Sequence, residues 1–335
     1  MKAPTVSILM PVRNEARFLS AALGSILRQT CADWELVVVD DGSTDATPSL
    51  LAGFAAQDRR IRVLSPGQQG LVAALNHGLA ACRAALVARM DGDDISHPER
   101  LERQLAFLDA HREIGLLACT ARHFPRQHLK IGMLAYEEWQ NGLCTHDQIM
   151  RDLFVESPFV HPSVMARKKL LEDAGGYVDR GWAEDYDLWL RLAAAGVRFA
   201  SLPERLFFWR DRPERSTRTM AAYSVEAFRR CKAYYLAQGF LRDTRDVTLV
   251  GAGIEGRAWR KVLLERGISV KRWVDLDPRK VGRTLHGAPV VAENSVNAGE
   301  GPYLITIGTR GARAQVRQWA AGRGLAEESD YLCVT

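Results

Sequence analysis

The stretch Ala88-Arg89-Met90-Asp91-Gly92-Asp93-Asp94 follows an apolar run and places three carboxylates within four residues. Carboxylates this close together repel one another, so the turn costs stability unless a cation neutralises them. Magnesium and manganese prefer such oxygen ligands and share their remaining positions with water and substrate phosphates. The sequence therefore predicts a divalent-cation site at this turn. A solvated acidic turn is the alternative, whereas an EF-hand loop is excluded because its spaced ligands and final glutamate are missing.

The chain around this turn alternates short β-rich runs with helical stretches, a pattern typical of a largely parallel sheet covered by helices. Strands are predicted at residues 6–10, 35–40, 61–64 and 86–90. Apolar residues at helical spacing predict a helix within residues 15–29. The sequence Ser96-His97-Pro98-Glu99 has the capping-box pattern with which a helix begins. The predicted fold class is α/β.

Two further acidic segments stand where such a fold places ligands. The segment Val38-Val39-Asp40-Asp41-Gly42-Ser43-Thr44-Asp45 follows a buried strand, and ligands of open α/β sheets bind at the carboxyl ends of strands. The alternative is a turn that only caps the next helix. Glu184 and Asp185 begin another helix, which ends at Gly196. The helix dipole there keeps a carboxylate ionised and competent as a base, although ordinary acidic residues at a helix start explain the pattern too.

Composition excludes several classes of protein. Of 335 residues 47% are hydrophobic and 25% are charged, which is typical of a globular chain and not of a disordered or fibrous one. The six cysteines are scattered, so we expect reduced thiols and neither a CxxC redox site nor a zinc site. No run approaches the roughly 18–20 apolar residues that span a bilayer, so we expect a soluble, cytoplasmic protein.

The net charge of +5 is too small to indicate nucleic-acid binding, but it is concentrated. Residues 205–245, here called the basic strip, contain ten basic and four acidic residues. One hypothesis is that this strip faces phosphates, those of a donor diphosphate through Arg210 and Arg212 or those of a lipid-linked acceptor at the inner face of a membrane. The alternative is a solvated helix face.

A second βαβ pattern begins near residue 247. Gly251, Gly253 and Gly256 follow a strand and open a helix, and Asp275 ends the next strand. This is the context of a dinucleotide fingerprint, in which glycines admit a pyrophosphate and the acid reaches a ribose. The remaining chain is too short for a full dehydrogenase. A scaffold without ligand, a site for NAD or a nucleotide sugar, and redox chemistry remain open, although no hydride-transfer arrangement is evident.

Together with Met10-Pro11-Val12-Arg13-Asn14-Glu15, the acidic segments resemble the family 2 glycosyltransferases of the GT-A fold over roughly residues 4–240. The most specific motifs, in family order, lie at residues 70–76, 88–96, 98–104, 161–165 and 184–191. Residues 275–290 resemble the small Rossmann-like domain that precedes some sugar acyltransferases and follows some glycosyltransferases. We therefore expect a GT-A nucleotide-diphospho-sugar transferase domain at residues 1–243, with a basic helical connector from about 205, and a Rossmann-like domain at 244–335.

The resemblance implies roles for individual residues. Pro11 and Glu15 would lie beside the base and ribose of a nucleotide sugar, and Asp41 would accept a hydrogen bond from uracil or thymine. Asp91 and Asp93 would form the DxD motif that holds Mn2+ or Mg2+ and the ribose-diphosphate. Asp185 would be the general base, and His161 and Glu184 would line the acceptor side.

The expected function is that of a metal-dependent, inverting glycosyltransferase. It would move a sugar from a UDP- or dTDP-sugar to a glycan or lipid-linked acceptor in bacterial surface-glycan assembly. Many relatives place a histidine after the last strand of the domain, and residues 208–215 contain none, so Asp211 or water would complete the metal shell, or Arg210 and Arg212 would bind the diphosphate.

Two other classes of function fit the sequence less well. A sugar nucleotidyltransferase should open with a glycine-rich loop, and residues 10–15 contain no glycine. An NAD-binding oxidoreductase or sensor would not explain the acidic residues Asp91, Asp93 and Asp185.

Overall fold

The computed structural model describes residues 3–309 and 311–335. Packing divides the chain into two compact units. The first comprises Met1–Ile149 and Pro158–Thr219, and the second comprises Met150–Ser157 and Met220–Thr335. Each unit contains its own parallel-rich sheet and its own buried apolar core.

The strands up to residue 210 are β1 (Val6–Val12), β2 (Trp34–Asp40), β3 (Ile61–Leu64), β4 (Leu86–Arg89), β5 (Ile95–Ser96), β6 (Ile114–Phe124), β7 (Met165–Arg167) and β8 (Arg198–Arg210). The helices up to residue 219 are α1 (Leu19–Leu27), α2 (Thr47–Gln57), α3 (Leu71–Ala81), α4 (Arg100–Ala110), α5 (Ile131–Asn141), α6 (His146–Asp152), α7 (Lys168–Asp173), α8 (Glu184–Ala194) and α9 (Ser216–Thr219).

The sheet of the first unit has the order β3-β2-β1-β4-β7-β6-β8-β5. Strands β3, β2, β1 and β4 are parallel, and β7 runs antiparallel to both β4 and β6. All seven residues of β1 and of β2 are buried, because helices cover both faces of the sheet. The carboxyl ends of β1, β2 and β4 therefore meet at one edge. The α/β class predicted from the sequence is confirmed.

The second unit contains α10 (Val225–Gln238), β9 (Asp246–Val250), α11 (Ile254–Leu264), β10 (Ser269–Val274), β11 (Thr284–Leu285), β12 (Ala288–Val291), β13 (Tyr303–Ile305), α12 (Ala312–Ala321) and β14 (Tyr331–Cys333). Its sheet has the order β11-β12-β10-β9-β13-β14, parallel except for β11. Taken in chain order, the five parallel strands are arranged 3-2-1-4-5, as in dinucleotide-binding folds. The sheet of this unit has the Rossmann-like arrangement that the sequence predicts after residue 244.

The capping box predicted at residues 96–99 is wrong. Helix α4 begins at Arg100, and Ser96 instead belongs to β5, which pairs with β8. The Ser96 hydroxyl accepts a hydrogen bond from Gln29 Nε2 at 3.1 Å, and Glu99 pairs with Arg103. A strand pairing distant in sequence thus takes the residue that the local pattern assigned to a helix cap.

The basic strip is not one helix. Residues 205–210 belong to β8, α9 ends at Thr219, and a 3-10 turn precedes α10. The Ser224 hydroxyl caps α10 by accepting from the Ala227 amide. The first compact unit ends at Thr219, and the second resumes at Met220. The domain boundary at residue 243 remains a prediction from the sequence. Within residues 3–309 and 311–335, no helix combines the length and apolar character that a membrane span requires.

Candidate functional site

Three carboxylates form a cluster in the turn after β4. Oxygens of Asp91, Asp93 and Asp94 lie within 4.8 Å of one another. Asp93 and Asp94 are buried and Asp91 is half-buried. Asp94 Oδ1 accepts from the Arg210 amide at 2.6 Å, and among the described residues its buried Oδ2 has no hydrogen-bond partner. The cluster therefore joins both predicted metal ligands to a third carboxylate, and its all-oxygen donor set suits a hard divalent cation.

Two arginines bring positive charge to this cluster. Arg89 Nη2 lies 2.6 Å from Asp91 Oδ1, and Arg212 Nε lies 2.9 Å from Asp93 Oδ2. Burial raises the pKa of Asp91, but Arg89 and His161 outweigh it and hold that pKa below its usual value. For Asp93 burial and the charge of Asp91 leave the pKa raised. The cluster thus combines one firmly ionised carboxylate with others that lack sufficient counter-charge.

The residues around Arg212 connect the cluster to the end of β1. Arg212 Nη2 also pairs with Glu15 Oε1. Burial, and then the charge of Asp93, raise the pKa of Glu15 to about 7. Arg210 points differently: its Nε donates to the Asp93 carbonyl at 2.6 Å, and its guanidinium stacks over the Phe18 ring at 4.3 Å. Of the two candidate phosphate-binding arginines, Arg212 is the one whose guanidinium pairs with carboxylates of the site, those of Glu15 and Asp93.

Asp211 does not belong to the cluster. Its carboxylate pairs with Arg218 at 2.7 Å. The third oxygen donor beside Asp91 and Asp93 is instead Asp94, from the same turn.

Asp41 stands at the neighbouring strand end. Its Oδ1 accepts from the amides of Gln69 and Gly70 at 2.6 and 3.0 Å, so the carboxylate fixes the loop before α3. Gly42 has a φ of +71°, and a Cβ there would lie 2.9 Å from the Gln68 amide. Pro11 lies in β1, and Glu15 follows that strand. The residues expected at the nucleotide therefore all lie at the carboxyl edge of β1 and β2.

The first turn of α8 contains three acids with different surroundings. Asp187 is fully buried and accepts from Trp182 Nε1 at 2.8 Å and from Arg191 Nε at 2.7 Å. Asp185 is half-buried, and its Oδ1 accepts from the next backbone amide, that of Tyr186, at 2.7 Å. Burial, and then the charge of Glu184, raise the pKa of Asp185 to about 6. Asp185 is therefore a carboxylate of increased basicity that is still ionised at neutral pH.

His161 connects α8 with the carboxylate cluster. It begins a 3-10 turn, its Nε2 lies 3.0 Å from the Tyr177 hydroxyl, and its Nδ1 lies 3.6 Å from Glu184 Oε1. His161 lowers the pKa of both Asp91 and Asp185, so it is within electrostatic reach of each. Tyr177 was not predicted, and no spacing in the sequence points to it.

Arg100 is a buried residue next to the site that the sequence motifs did not single out. It is 1% exposed, and its Nη2 donates to the carbonyls of Arg89 at 2.9 Å and Val164 at 3.3 Å. Burial lowers its pKa to about 10. Arg100 thus ties the strand before the acidic turn to the segment after His161, and the motif at residues 98–104 contains it.

Much of the basic strip is engaged in local ion pairs. The pairs are Arg212 with Asp93 and Glu15, Arg218 with Asp211, Arg229 with Glu255, Arg230 with Glu226, and Arg242 with Asp243. Lys232 is buried and donates to the carbonyls of Val155 and Val334. This pairing offsets much of the charge on which the phosphate-binding hypothesis for the strip depends.

The glycine-rich turn of the second unit lies at the carboxyl end of β9, where the strand order reverses. Gly251 has a φ of +111°, a backbone conformation that favours glycine. A Cβ at Gly256 would overlap the Gly251 carbonyl, so packing requires a glycine there. A Cβ at Gly253 would meet nothing within 4 Å. Asp275 Oδ2 accepts from the Ala252 amide at 2.9 Å and pairs with Lys280 Nζ at 2.8 Å. The four predicted residues therefore assemble at one sheet edge.

Comparison with known proteins identifies relatives of the first unit. Residues 7–175 match the family model "Glycosyl transferase family 2". The chain is 34% identical to "Putative glycosyltransferase EpsE" of Bacillus subtilis over 231 residues, which are 67% of this chain and 79% of the relative. It is 30% identical to the "UDP-Gal:alpha-D-GlcNAc-diphosphoundecaprenol beta-1,3-galactosyltransferase" of Escherichia coli over 220 residues, 64% of this chain and 77% of that one.

Among solved structures, the fold resembles that of S. aureus TarS in complex with UDP-GlcNAc. The TM-score is 0.56 at 18% identity, and the match covers 78% of this chain and 71% of TarS.

Proposed function

Because this chain belongs to glycosyl transferase family 2, we propose that it moves a sugar from a UDP- or dTDP-sugar to a hydroxyl of a glycan or lipid-linked acceptor. The observation that carries this proposal is the carboxylate cluster after β4, linked through His161 to the basic carboxylate of Asp185. The Escherichia coli relative, whose name gives UDP-Gal as donor and a diphospho-lipid as acceptor, supports a role in bacterial surface-glycan assembly.

The donor end is proposed to hold a divalent cation. Asp91, Asp93 and Asp94 supply oxygen ligands, and the unpartnered, buried Oδ2 of Asp94 supports the fit. Mn2+ or Mg2+ bound here would offset the negative charge that develops on the leaving nucleoside diphosphate. Arg212, which contacts Asp93, is the side chain best placed to bind the diphosphate through its planar guanidinium.

Asp185 is proposed to be the base that deprotonates the acceptor hydroxyl as the new glycosidic bond forms. A sugar hydroxyl is a poor nucleophile, so a carboxylate within hydrogen-bond reach must take its proton as the new bond forms. The acceptor oxygen bonds to the anomeric carbon while the bond from that carbon to the diphosphate oxygen breaks. A single displacement of this kind inverts the anomeric configuration and needs no covalent enzyme intermediate.

Asp185 suits this role better than its neighbours on α8. Both carboxylate oxygens of Asp187 are engaged by Trp182 and Arg191, and Glu184 is buried against His161. Asp185 is the half-buried acid, and its raised pKa makes it a better proton acceptor while leaving it ionised at pH 7. Glu184 and His161 are proposed to line the acceptor side beside it.

A donor titration tests this proposal. UDP-Gal, UDP-GlcNAc, a dTDP-sugar and GDP-mannose are each added with and without Mn2+, and thermal stabilisation and nucleotide release are followed. We expect one uracil or thymine donor to stabilise the protein, and Mn2+ to strengthen the effect. The Asp91→Asn variant should lose the Mn2+ dependence, and the same titration with Asp109→Asn, an exposed acid on α4, is the matched control. Absence of a response to every donor would contradict the proposal.

For the second unit we propose a separate nucleotide site at Gly251, Gly253, Gly256 and Asp275. The observation that favours it is Gly253, where neither backbone conformation nor packing explains the missing side chain. In dinucleotide-binding turns, such a glycine lets a pyrophosphate approach the backbone. NAD and a nucleotide sugar are the candidate ligands. Peripheral association with the inner face of a membrane remains a prediction that depends on a lipid-linked acceptor.

A further inference from the structure

His161 is held from both sides by buried groups. Its Nε2 lies 3.0 Å from the Tyr177 hydroxyl, and its Nδ1 lies 3.6 Å from Glu184 Oε1. The edge of the His161 ring also meets the ring of Trp189, with centroids 5.7 Å apart. His161, Tyr177 and Glu184 are each at most 8% exposed. The imidazole therefore has a defined orientation and a defined partner at each nitrogen.

Tyr177 is itself fixed through its backbone. Asn76 Nδ2 donates to the Tyr177 carbonyl at 2.8 Å, and the Tyr177 amide donates to Asn76 Oδ1 at 2.9 Å. The preceding residue, Gly176, has a φ of +68°, and a Cβ there would lie 2.5 Å from Asn76 Oδ1. Because α3 holds residue 177 by main-chain atoms, a phenylalanine there should keep its place and lose only the hydroxyl contact.

The surroundings decide which way the Tyr177–His161 hydrogen bond runs. Burial raises the pKa of the Tyr177 hydroxyl, and the charges of Glu184 and Asp185 raise it further against the opposing effect of Arg89. The hydroxyl therefore stays protonated, and because a phenol can both donate and accept, the neighbour of the other ring nitrogen sets the direction of the bond. Nδ1 faces the Glu184 carboxylate, which only accepts, so Nδ1 carries a proton, and in the neutral imidazole Nε2 accepts from the Tyr177 hydroxyl.

We propose that Tyr177 is a positioning residue for transfer, which fixes the orientation and tautomer of His161 so that His161 presents an N–H to the acceptor-side carboxylates. This inference rests on the proposed function. With Nε2 occupied by the tyrosine hydroxyl, His161 is not available as a base, and the proton of the acceptor hydroxyl goes to Asp185. His161 then serves to hold Glu184 and the acceptor side in place.

Loss of the hydroxyl has a consequence that simple destabilisation does not. The carboxylate that faces His161 directly is Glu184 of α8, and Asp185 follows it on the same helix. Without the hydroxyl, Nε2 loses the hydrogen bond that holds the ring, so the imidazole can turn and Nδ1 no longer stays directed at Glu184. The acceptor side then loses its fixed geometry, whereas the donor side at the carboxylate cluster does not change, so turnover falls and donor binding does not.

The test compares Tyr177→Phe, His161→Ala and the double variant in the full-length chain, with UDP-Gal as donor and a GlcNAc-diphospho-lipid as acceptor. The matched control is Tyr331→Phe in β14 of the second unit, which also removes a buried hydroxyl near a carboxylate, Glu327. The readouts are kcat, the KM for donor and Tm.

We expect Tyr177→Phe to lower kcat roughly threefold to tenfold, the worth of one positioning hydrogen bond, with donor KM unchanged. The double variant should be no slower than His161→Ala, because the tyrosine acts through the histidine. The control should lower Tm alone.

Three outcomes would overturn the inference: an unchanged kcat in Tyr177→Phe, effects that add fully in the double variant, or the same kinetic change in Tyr331→Phe. A wild-type protein that transfers sugar from no donor would instead contradict the proposed function. The two failures are therefore distinguishable.

Discussion

Replacing Asp185 with asparagine should make the protein inactive and, at the same time, more stable. Asparagine has almost the shape of aspartate but accepts no proton from an acceptor hydroxyl. We expect kcat to fall roughly 10²- to 10⁴-fold, the usual contribution of a general base, while donor affinity stays within about twofold. The gain in stability follows from the same environment that makes Asp185 basic.

The size and sign of this gain follow from the pKa. The value of about 6 in the folded protein exceeds the ordinary 3.8, so the folded state binds the proton more tightly than the unfolded state does. The stability that the protonated group contributes is complete below about pH 4 and is lost as the pH rises through 6. At pH 8 the ionised group therefore costs at most about 3 kcal/mol, which partial exposure reduces to roughly 1–2 kcal/mol. Asparagine removes this cost.

The assay measures nucleotide release and thermal or urea unfolding at pH 4.5 and pH 8. Asp185→Asn should unfold at a higher temperature or urea concentration than wild type at pH 8. This difference should shrink to about a third at pH 4.5, where the folded group is protonated but the unfolded group is already mostly ionised. The neighbouring Asp187→Asn is the matched control with the opposite sign, because it breaks the buried pair with Arg191 and should cost roughly 2–4 kcal/mol. Retained turnover in Asp185→Asn would refute its role as base, and a loss of stability at pH 8 would refute the electrostatic reasoning.

Three further predictions concern the same structure. The wild-type kcat/KM should fall about tenfold between pH 7 and pH 5, because Asp185 must be ionised to act. Glu184→Gln should move this acidic limb to lower pH, because it removes a neighbouring negative charge that raises the pKa of Asp185. A flat profile between pH 5 and pH 7 would contradict both expectations. Asp94→Asn should weaken stabilisation by Mn2+ at least tenfold, measured as a Tm titration, whereas Asp211→Asn should not; equal effects would place Asp211 in the metal shell. NAD or a nucleotide sugar should raise the Tm of the second unit, and Gly253→Val should abolish that rise while leaving transfer unchanged; a rise that persists in the variant would rule out the proposed turn as the site.

Local patterns in the sequence predicted the first four strands of the eight-stranded sheet in the first unit, and the edge where its acids meet. The strand at Ile61–Leu64 has the predicted bounds, and the first strand continues past Met10 to Val12 because β2 pairs along its whole length. Those predictions depend on apolar composition and on the rule that parallel strands end at one edge. Both are readable from a single stretch of chain.

The features that were missed depend on contacts between distant residues. Tyr177 is fixed by Asn76, 101 residues earlier, and Arg212 reaches Glu15, 197 residues earlier. The predicted helix cap at Ser96 fails because β8 takes that residue into a sheet. Likewise, Met150–Ser157 packs with the second unit because Lys232 binds the Val155 carbonyl and Arg317 pairs with Asp152. A single sequence contains no local signal for such pairings.

The anomeric configuration of the product tests the central claim most directly. The protein is incubated with UDP-Gal, whose sugar is α-linked, together with Mn2+ and a GlcNAc-diphospho-lipid, and the new linkage is examined by proton NMR. A single displacement assisted by Asp185 predicts one UDP released for each β-linked galactose. An α-linked product would contradict the single displacement, and no transfer from any uracil or thymine donor would contradict the proposed function itself.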